Sequence, residues 1–317
     1  LFKKINDTFI FRDKLEKEIL EKCSAFLKNQ RGIEKELVQK VYNHKLPEKI
    51  DLPKKINIKD VDIIIKTKYN NDFKFVNFNK SEIFYKCEKN RGIDIDDINK
   101  YKLNKINFFP KTTFNNDFIF QKLAKGVYYR PNKLSEFNEE LLKNVSYIIE
   151  ELSSICIQKT DFNNYINSLS LSFETDKLNF KITNRHFLHI EKHSKELILK
   201  SLTHGDLKFE HIFTLDGKLE YIVDWENVGI RSTFFDLFNF FIPWFIKRSY
   251  NYNDIKNYIL KFVKNYLPQF KKVLVYEYDL YFSVFVLERY ARIHNGRSSE
   301  FDLNSARKRY YSLFKDL

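Results

Sequence analysis

Asp216-Gly217 stands between two strand-like runs, Ile212-Phe213-Thr214-Leu215 and Lys218-Leu219-Glu220-Tyr221-Ile222. An Asp-Gly pair supplies two consecutive positive-φ positions, which a two-residue type I′ turn demands, so this stretch is constrained to a tight antiparallel hairpin. If Leu215 pairs with Lys218, the register sets His211 opposite Ile222. Side chains alternate faces along a strand, so Asp224 shares the face of Ile222 and hence of His211. Asp206 lies in the turn just before. Three polar groups are expected to converge where the hairpin begins.

Two carboxylates and an imidazole in that arrangement suit phosphoryl transfer. A divalent ion neutralises triphosphate charge, and a carboxylate orients the accepting hydroxyl. Asp224 is then a metal ligand, His211 a second one, and Asp206 the base or orienting group. Lys208, two residues after the base, reaches a phosphate oxygen. Magnesium prefers oxygen to nitrogen ligands. That preference leaves His211 to act through water or on phosphate.

The rest of the chain has to hold this segment in place, and its composition allows that. The 317 residues are 43% hydrophobic and 17% aromatic, with 32 Phe and 19 Tyr. Such a chain is neither disordered nor collagen-like and can bury a sizeable core. Its length suits two domains or one bilobal unit, and 7 Gly and 6 Pro leave little room for a linker. The most apolar stretch, Phe234 to Ile246, is interrupted by Asp236, Asn239 and Pro243 and is too short to span a bilayer. No signal peptide is expected, and the lack of any Met marks a trimmed start or a domain of a longer polypeptide. Three separated cysteines (Cys23, Cys87, Cys156) indicate reduced thiols and a cytoplasmic location.

Periodicity divides the chain. Ile10, Leu15, Ile19, Cys23, Phe26 and Leu27 recur at helical spacing, so residues 9–46 read as helices in an N-terminal extension over 1–50. Short β-branched and aromatic runs then follow (Val61 to Ile65, Phe73 to Val76, Ile83 to Lys86, Phe108 to Phe114, Phe118 to Phe120). With one short helix they make a five-stranded antiparallel sheet over 60–121. Beyond Gly126 a stripe from Leu134 to Ile155 is helical, as are 184–202, 253–267, 274–295 and 300–316. A β-rich part at 51–121 precedes a helical part at 122–317, an α+β order.

His204-Gly205-Asp206-Leu207, then His211-Ile212, then Ile222-Val223-Asp224-Trp225-Glu226, resembles the aminoglycoside phosphotransferase and choline kinase-like group. The resemblance implies a bilobal protein-kinase-like fold with a small antiparallel β-sheet N-lobe and a larger helical C-lobe. Gly205 and Trp225 set the motif apart from the protein-kinase HRDLKPEN and DFG signatures and favour the small-molecule kinases. It further implies that Asp236, in Phe234-Phe235-Asp236-Leu237, braces the catalytic loop with His204. Lys86 is implied to pair nucleotide phosphates, with its acidic partner among Asp94, Asp96 and Asp97. Phe120-Gln121-Lys122-Leu123 is implied to be the hinge, whose backbone at Gln121 and Leu123 holds the base of ATP or GTP, with Mg2+ as the metal. The turn expected to cover the nucleotide, Lys68 to Asp72, contains no Gly.

The expected reaction is transfer of a γ-phosphate to a hydroxyl of a small molecule or glycan. Two rivals differ in class, a Ser/Thr-type protein kinase and a non-catalytic nucleotide-binding scaffold. His186, His189 and His193 lie on one helical face, but without an HExxH pattern they read as polar surface. Glu288, Arg289, Arg292 and Arg297 are candidates for an acceptor cleft or for ordinary surface charge. The net charge of +13 is spread along the chain without an RNA-binding motif, so no nucleic-acid partner is expected. Peripheral membrane contact stays open. If the surplus reaches the acceptor cleft, an anionic acceptor such as a sugar phosphate or glycolipid is favoured.

Overall fold

The computed structural model describes residues 2–5, 8–11, 42–44, 61–66, 73–86, 95–115, 117–129, 131–169 and 197–292. Strands β1 (Phe2–Ile5), β2 (Thr8–Phe11), β3 (Tyr42–His44), β4 (Ile63–Lys66), β5 (Phe73–Asn77), β6 (Glu82–Lys86), β7 (Thr112–Asn115) and β8 (Phe118–Lys122) form one sheet. Their spatial order is β3-β1-β2-β4-β5-β6-β8-β7, antiparallel throughout. The last five strands and helix α1 (Ile95–Tyr101) match the sheet and short helix expected over 60–121. Phe75, Phe84 and Phe120 lie directly opposite one another in register, with stacked rings 5.1 and 5.2 Å apart. Stacked pairs add about 1 kcal/mol each beyond the area they bury, which helps pin the register that delivers the chain to residue 123.

The N-terminal segment departs from the helical reading of 9–46 and of the 1–50 extension. Phe9 to Phe11 belong to β2, whose Phe9 pairs with Ile64, and Tyr42–His44 pair with β1. Without β2, the edge of Ile63-Ile64-Ile65 would carry unpaired backbone groups. Residues 12–41 lie outside the described ones. Phe108-Phe109, expected in a strand, instead sit in a turn, where the Phe109 N–H donates to Ile106 O.

The remaining strands among the described residues are β9 (Val127–Tyr128), β10 (Gln158–Asp161), β11 (Leu197–Thr203), β12 (Ile212–Leu215), β13 (Lys218–Ile222) and β14 (Gly229–Ser232). They make two small sheets, β13-β12-β9 and β10-β11-β14. Among the described residues, the helices that follow α1 are α2 (Glu139–Ser153), α3 (Phe162–Ser168), α4 (Phe235–Ile246), α5 (Tyr252–Tyr266) and α6 (Lys271–Arg292).

The chain forms two compact units, Leu1–Asn132 with Phe209–Glu226, and Lys133–Lys208 with Asn227–Leu317. The hairpin β12–β13, expected with the helical part, belongs to the first unit. There β9 pairs with β12, the Ile222 N–H donates to Phe108 O at 2.8 Å, and Trp225 packs on Phe108 and Phe109.

In the second unit α2 begins at Asn138, whose side chain accepts the Leu141 N–H, and buries Leu141, Val145, Ile148, Ile149 and Leu152. Helices α5 and α6 match the spans expected at 253–267 and 274–295, with Pro268 in a 3-10 turn between them. Residues 197–202, expected at the end of a helix, are strand β11; 170–196 and 300–316 lie outside the described residues. Helix α4 is apolar nearly all round and accordingly buried, with Phe238 packed edge-on against Tyr278 and Phe282, and Phe241 against Phe262. Among the described residues, no helix is long and apolar enough to cross a membrane.

Candidate active site

Asp216 (φ 50°) and Gly217 (φ 76°) both take the left-handed conformation, so the hairpin turn is the primed type its dipeptide implies. The register departs from the simple ladder. Phe213 pairs with Tyr221 and Thr214 with Leu219, leaving Glu220 as an extra residue, so Ile212 rather than His211 stands opposite Ile222. The bulge turns the Glu220 carboxylate onto the chain leaving β8, where it accepts the Lys125 N–H (3.0 Å) and the Gly126 N–H (2.8 Å). Gly126 has no alternative there, because a Cβ would lie 2.0 Å from Thr214 O.

His211 and Asp224 still meet, by a different route. The Val223 N–H donates to His211 O, and Asp224 then adopts φ 69°, a conformation costly for a residue with a side chain. This brings its Oδ2 to 3.4 Å from His211 Nε2. The next residue is anchored, as Trp225 Nε1 donates to Ile222 O and the ring is buried. The pair offers one imidazole nitrogen and one carboxylate oxygen, a donor set that fits a divalent ion with the remaining positions taken by phosphate or water.

In the second unit, β11 runs into His204-Gly205-Asp206. Gly205 has φ 81°, and a Cβ on it would come within 2.1 Å of Asn227 O. Asp236, the second residue of α4, accepts the backbone N–H groups of His204 (2.6 Å) and Gly205 (2.9 Å). Burial pushes the Asp236 carboxyl up to about 6, against those hydrogen bonds and the Arg231 guanidinium, which pull it down. His204 is fully buried, and its Nδ1 accepts the Asp206 N–H. Asn239, one helical turn after Asp236, donates to Leu207 O at 3.0 Å. The loop thus presents Asp206, 8% exposed, with Lys208 Nζ 2.7 Å from Oδ2 and Arg289 Nη1 3.9 Å from Oδ1. Glu288 is buried and accepts from the Ser232 N–H and Oγ and the Tyr165 hydroxyl; burial pushes it up to about 7.

The other expected residues sit on the sheet. Lys86 closes β6, exposed, while Lys74 on β5 lies 3.8 Å from Glu226 Oε1, two residues beyond Asp224. Lys74 pairs with Tyr85 in register, so strand alternation puts Lys86 on the opposite face from Lys74. The Gln121 side chain is held between the Tyr85 hydroxyl and Thr112, and the Leu123 N–H donates to Ser81 O. Asp96 and Asp97 occupy the first turn of α1. Asp94, residues 68–72, His186, His189, His193 and Arg297 lie outside the described residues. Sequence reasoning passed over Lys74, Glu220 and Asn239. Only Asn239 left a signal, as a polar break in an apolar run.

No protein-family model and no curated protein matches this sequence. Solved structures do. A thermostable mutant of aminoglycoside phosphotransferase APH(4)-Ia matches with TM-score 0.53 at 12% identity, over 81% of this chain and 95% of that one. A mutant of aminoglycoside 2′-phosphotransferase-IIIa, in a GDP complex, matches with TM-score 0.54 at 13% identity, over 81% and 93%. Amicoumacin kinase hAmiN, in complex with AMP-PNP and Ca2+, matches with TM-score 0.52 at 10% identity, over 82% and 89%. Likeness at that identity is a likeness of fold, and the chain has the α+β, protein-kinase-like fold of the aminoglycoside phosphotransferases.

Proposed function

We propose that the protein is a kinase transferring the γ-phosphate of ATP or GTP to a hydroxyl of a small molecule or glycan. The observation that carries this reading is the loop 204–208, fixed by Asp236 and Asn239 so that a nearly buried carboxylate, Asp206, stands beside Lys208. Rigid presentation of a base is what phosphoryl transfer requires of a protein, since catalysis there rests on positioning and charge. The solved relatives of the fold include one with GDP and one with AMP-PNP and Ca2+, which supports a nucleotide and a divalent ion.

Asp206 accepts a hydrogen bond from the acceptor hydroxyl and takes its proton as the new O–P bond forms and the bond from the γ-phosphorus to the bridging oxygen breaks. The nucleoside diphosphate leaves with that oxygen. Lys208 pairs with Oδ2 of Asp206 and keeps the carboxylate oriented. Asp224, with His211, is the site for Mg2+, which when bound neutralises phosphate charge. We assign phosphate contact on the sheet to Lys74 rather than Lys86, because its ammonium reaches the segment that carries Asp224. The Lys125–Gly126 segment, held by Glu220, forms the exit of the hinge.

Thermal unfolding with excess Mg-ATP and Mg-GTP tests the nucleotide half of this reading. A ligand at a hundredfold its Kd stabilises by about 2.7 kcal/mol, so at least one nucleotide is expected to raise the Tm by several degrees. No shift with either contradicts the kinase reading. A shift without consumption of nucleotide under any acceptor favours the non-catalytic scaffold.

A further inference from the structure

Arg231, on β14, touches the residues on either side of the contact through which Asp236 holds the loop 204–208. Its Nη1 donates to Thr203 Oγ1 at 2.8 Å, one residue before His204. Thr203 directs its own proton to Gly229 O, so the hydroxyl is an acceptor toward the guanidinium. A Cβ on Gly205 would lie 2.7 Å from the same Nη1. The guanidinium therefore packs directly on the residue whose N–H donates to Asp236 Oδ1. Its Cζ lies 5.2 Å from the ring centroid of Phe235, the residue before Asp236.

A cation at that place has a task. The Asp236 carboxylate is buried, and two backbone N–H groups satisfy its oxygens without cancelling its charge. Among the described residues, the charges acting on it are Arg231, which favours the ionised form, and Asp206, which opposes it. His204 accepts the Asp206 N–H on Nδ1 and is therefore neutral. Lys208 and Arg289 lie against Asp206 itself. Arg231 also favours the ionised form of Glu288, the buried acceptor of Ser232 and of the Tyr165 hydroxyl.

We infer that Arg231 is a positioning residue, the counter-charge that keeps the Asp236 clamp closed on His204 and Gly205 and so holds Asp206 in place. The consequence for Asp206 rests on the kinase reading; the coupling of Arg231 to the clamp does not. Without the guanidinium, burial favours the protonated carboxyl, a weaker acceptor for the two N–H groups. The loop then loosens over a pH range in which the wild type still holds it. An Arg231 needed only for its packing on Phe235 and its bond to Thr203 gives losses that do not vary with pH.

The test uses the full chain labelled with 15N-glycine, whose seven glycines give a spectrum simple enough to follow Gly205. The Gly205 amide proton donates to Asp236, so its chemical shift reports the ionisation of that carboxyl. In wild type its midpoint is expected at about pH 6. Arg231→Gln is expected to move the midpoint to higher pH, and Arg231→Lys, which keeps the charge, to leave it near the wild-type value. The same order is expected in a Glu288→Gln background, which removes the other buried carboxyl that Arg231 acts on. Consumption of Mg-ATP or Mg-GTP with water as acceptor is expected to fall about tenfold in Arg231→Gln at pH 6.5. At pH 8.5 it returns to within about twofold of wild type, the change lying in kcat and not in the nucleotide KM.

An unmoved Gly205 midpoint in Arg231→Gln overturns the inference, as does a shift that vanishes in the Glu288→Gln background. A turnover loss equal at both pH values overturns it as well. Should Arg231→Gln not fold, Arg231→Lys against wild type decides alone: a retained midpoint supports the counter-charge, and a raised one overturns it. The kinase reading fails separately. If wild type consumes neither nucleotide while the Gly205 midpoint still follows the charge at position 231, that reading falls and the clamp stands.

Discussion

Asn239 follows Asp236 by one helical turn on α4, and the two side chains hold opposite ends of the loop that presents Asp206. Asp236 takes two backbone N–H groups into a fully buried carboxylate, whereas Asn239 supplies one neutral bond. Asp236→Ala leaves two buried donors without a partner and is expected to cost roughly 3 kcal/mol; Asn239→Ala is expected to cost about 1 kcal/mol. Denaturant unfolding measures both. Amide exchange at Gly205 is expected to accelerate in Asp236→Ala by more than the global loss of stability explains.

Glu220 ties the hairpin to the strand that exits the large sheet, through the Lys125 and Gly126 N–H groups. Gly126→Ala places a methyl against Thr214 O and is expected to destabilise by about 2 kcal/mol. Glu220→Ala removes exposed and half-buried bonds and is expected to cost about 1 kcal/mol, with nucleotide affinity falling further than stability. Thermal unfolding and nucleotide titration on the same proteins separate the two effects.

Lys74 and Lys86 stand on opposite faces of the sheet, and Lys74 Nζ lies 3.8 Å from Glu226 Oε1, in the segment that carries Asp224. Lys74→Ala is expected to weaken Mg-nucleotide binding about tenfold, and Lys86→Ala less than twofold. Calorimetric titration decides between them. The reverse order returns the phosphate contact to Lys86.

Two buried carboxyls set the pH dependence of stability. Burial pushes Glu288 up to about 7 and Asp236 up to about 6. Between the ordinary carboxylate range and those values the folded protein binds protons that the unfolded chain has released. These groups therefore favour folding at low pH, and their contribution is lost as pH rises through about 6 to 7. Glu288→Gln keeps the shape and removes the titration, so its unfolding free energy is expected to fall less between pH 4.5 and 7 than that of wild type, by up to roughly 3 kcal/mol. Parallel denaturant titrations across that range measure the difference.

Legibility in the sequence followed the range of the interactions. The Asp216-Gly217 turn is a local demand on φ and was readable, as were α2, α5 and α6, whose apolar stripes repeat over several turns. The bulge was not, because nothing local marks Glu220; its place is set by the Lys125 and Gly126 backbone 95 and 94 residues away. Strand β11 was misread for a related reason. Ile198 and Leu202, four apart, share a face in a helix and in a strand alike, so the spacing cannot discriminate. The brace on loop 204–208 was half legible: Asp236 came with the family resemblance, while Asn239 stood in the sequence only as an interruption of an apolar run.

The central claim is that Asp206 takes the proton of an acceptor hydroxyl, and Asp206→Asn tests it most directly. The substitution keeps size and packing but removes the base, so folding and Mg-nucleotide affinity are expected to match wild type within about twofold. Acceptor-stimulated release of nucleoside diphosphate is expected to fall by about a hundredfold or more. Equal turnover in Asp206→Asn and wild type contradicts the account.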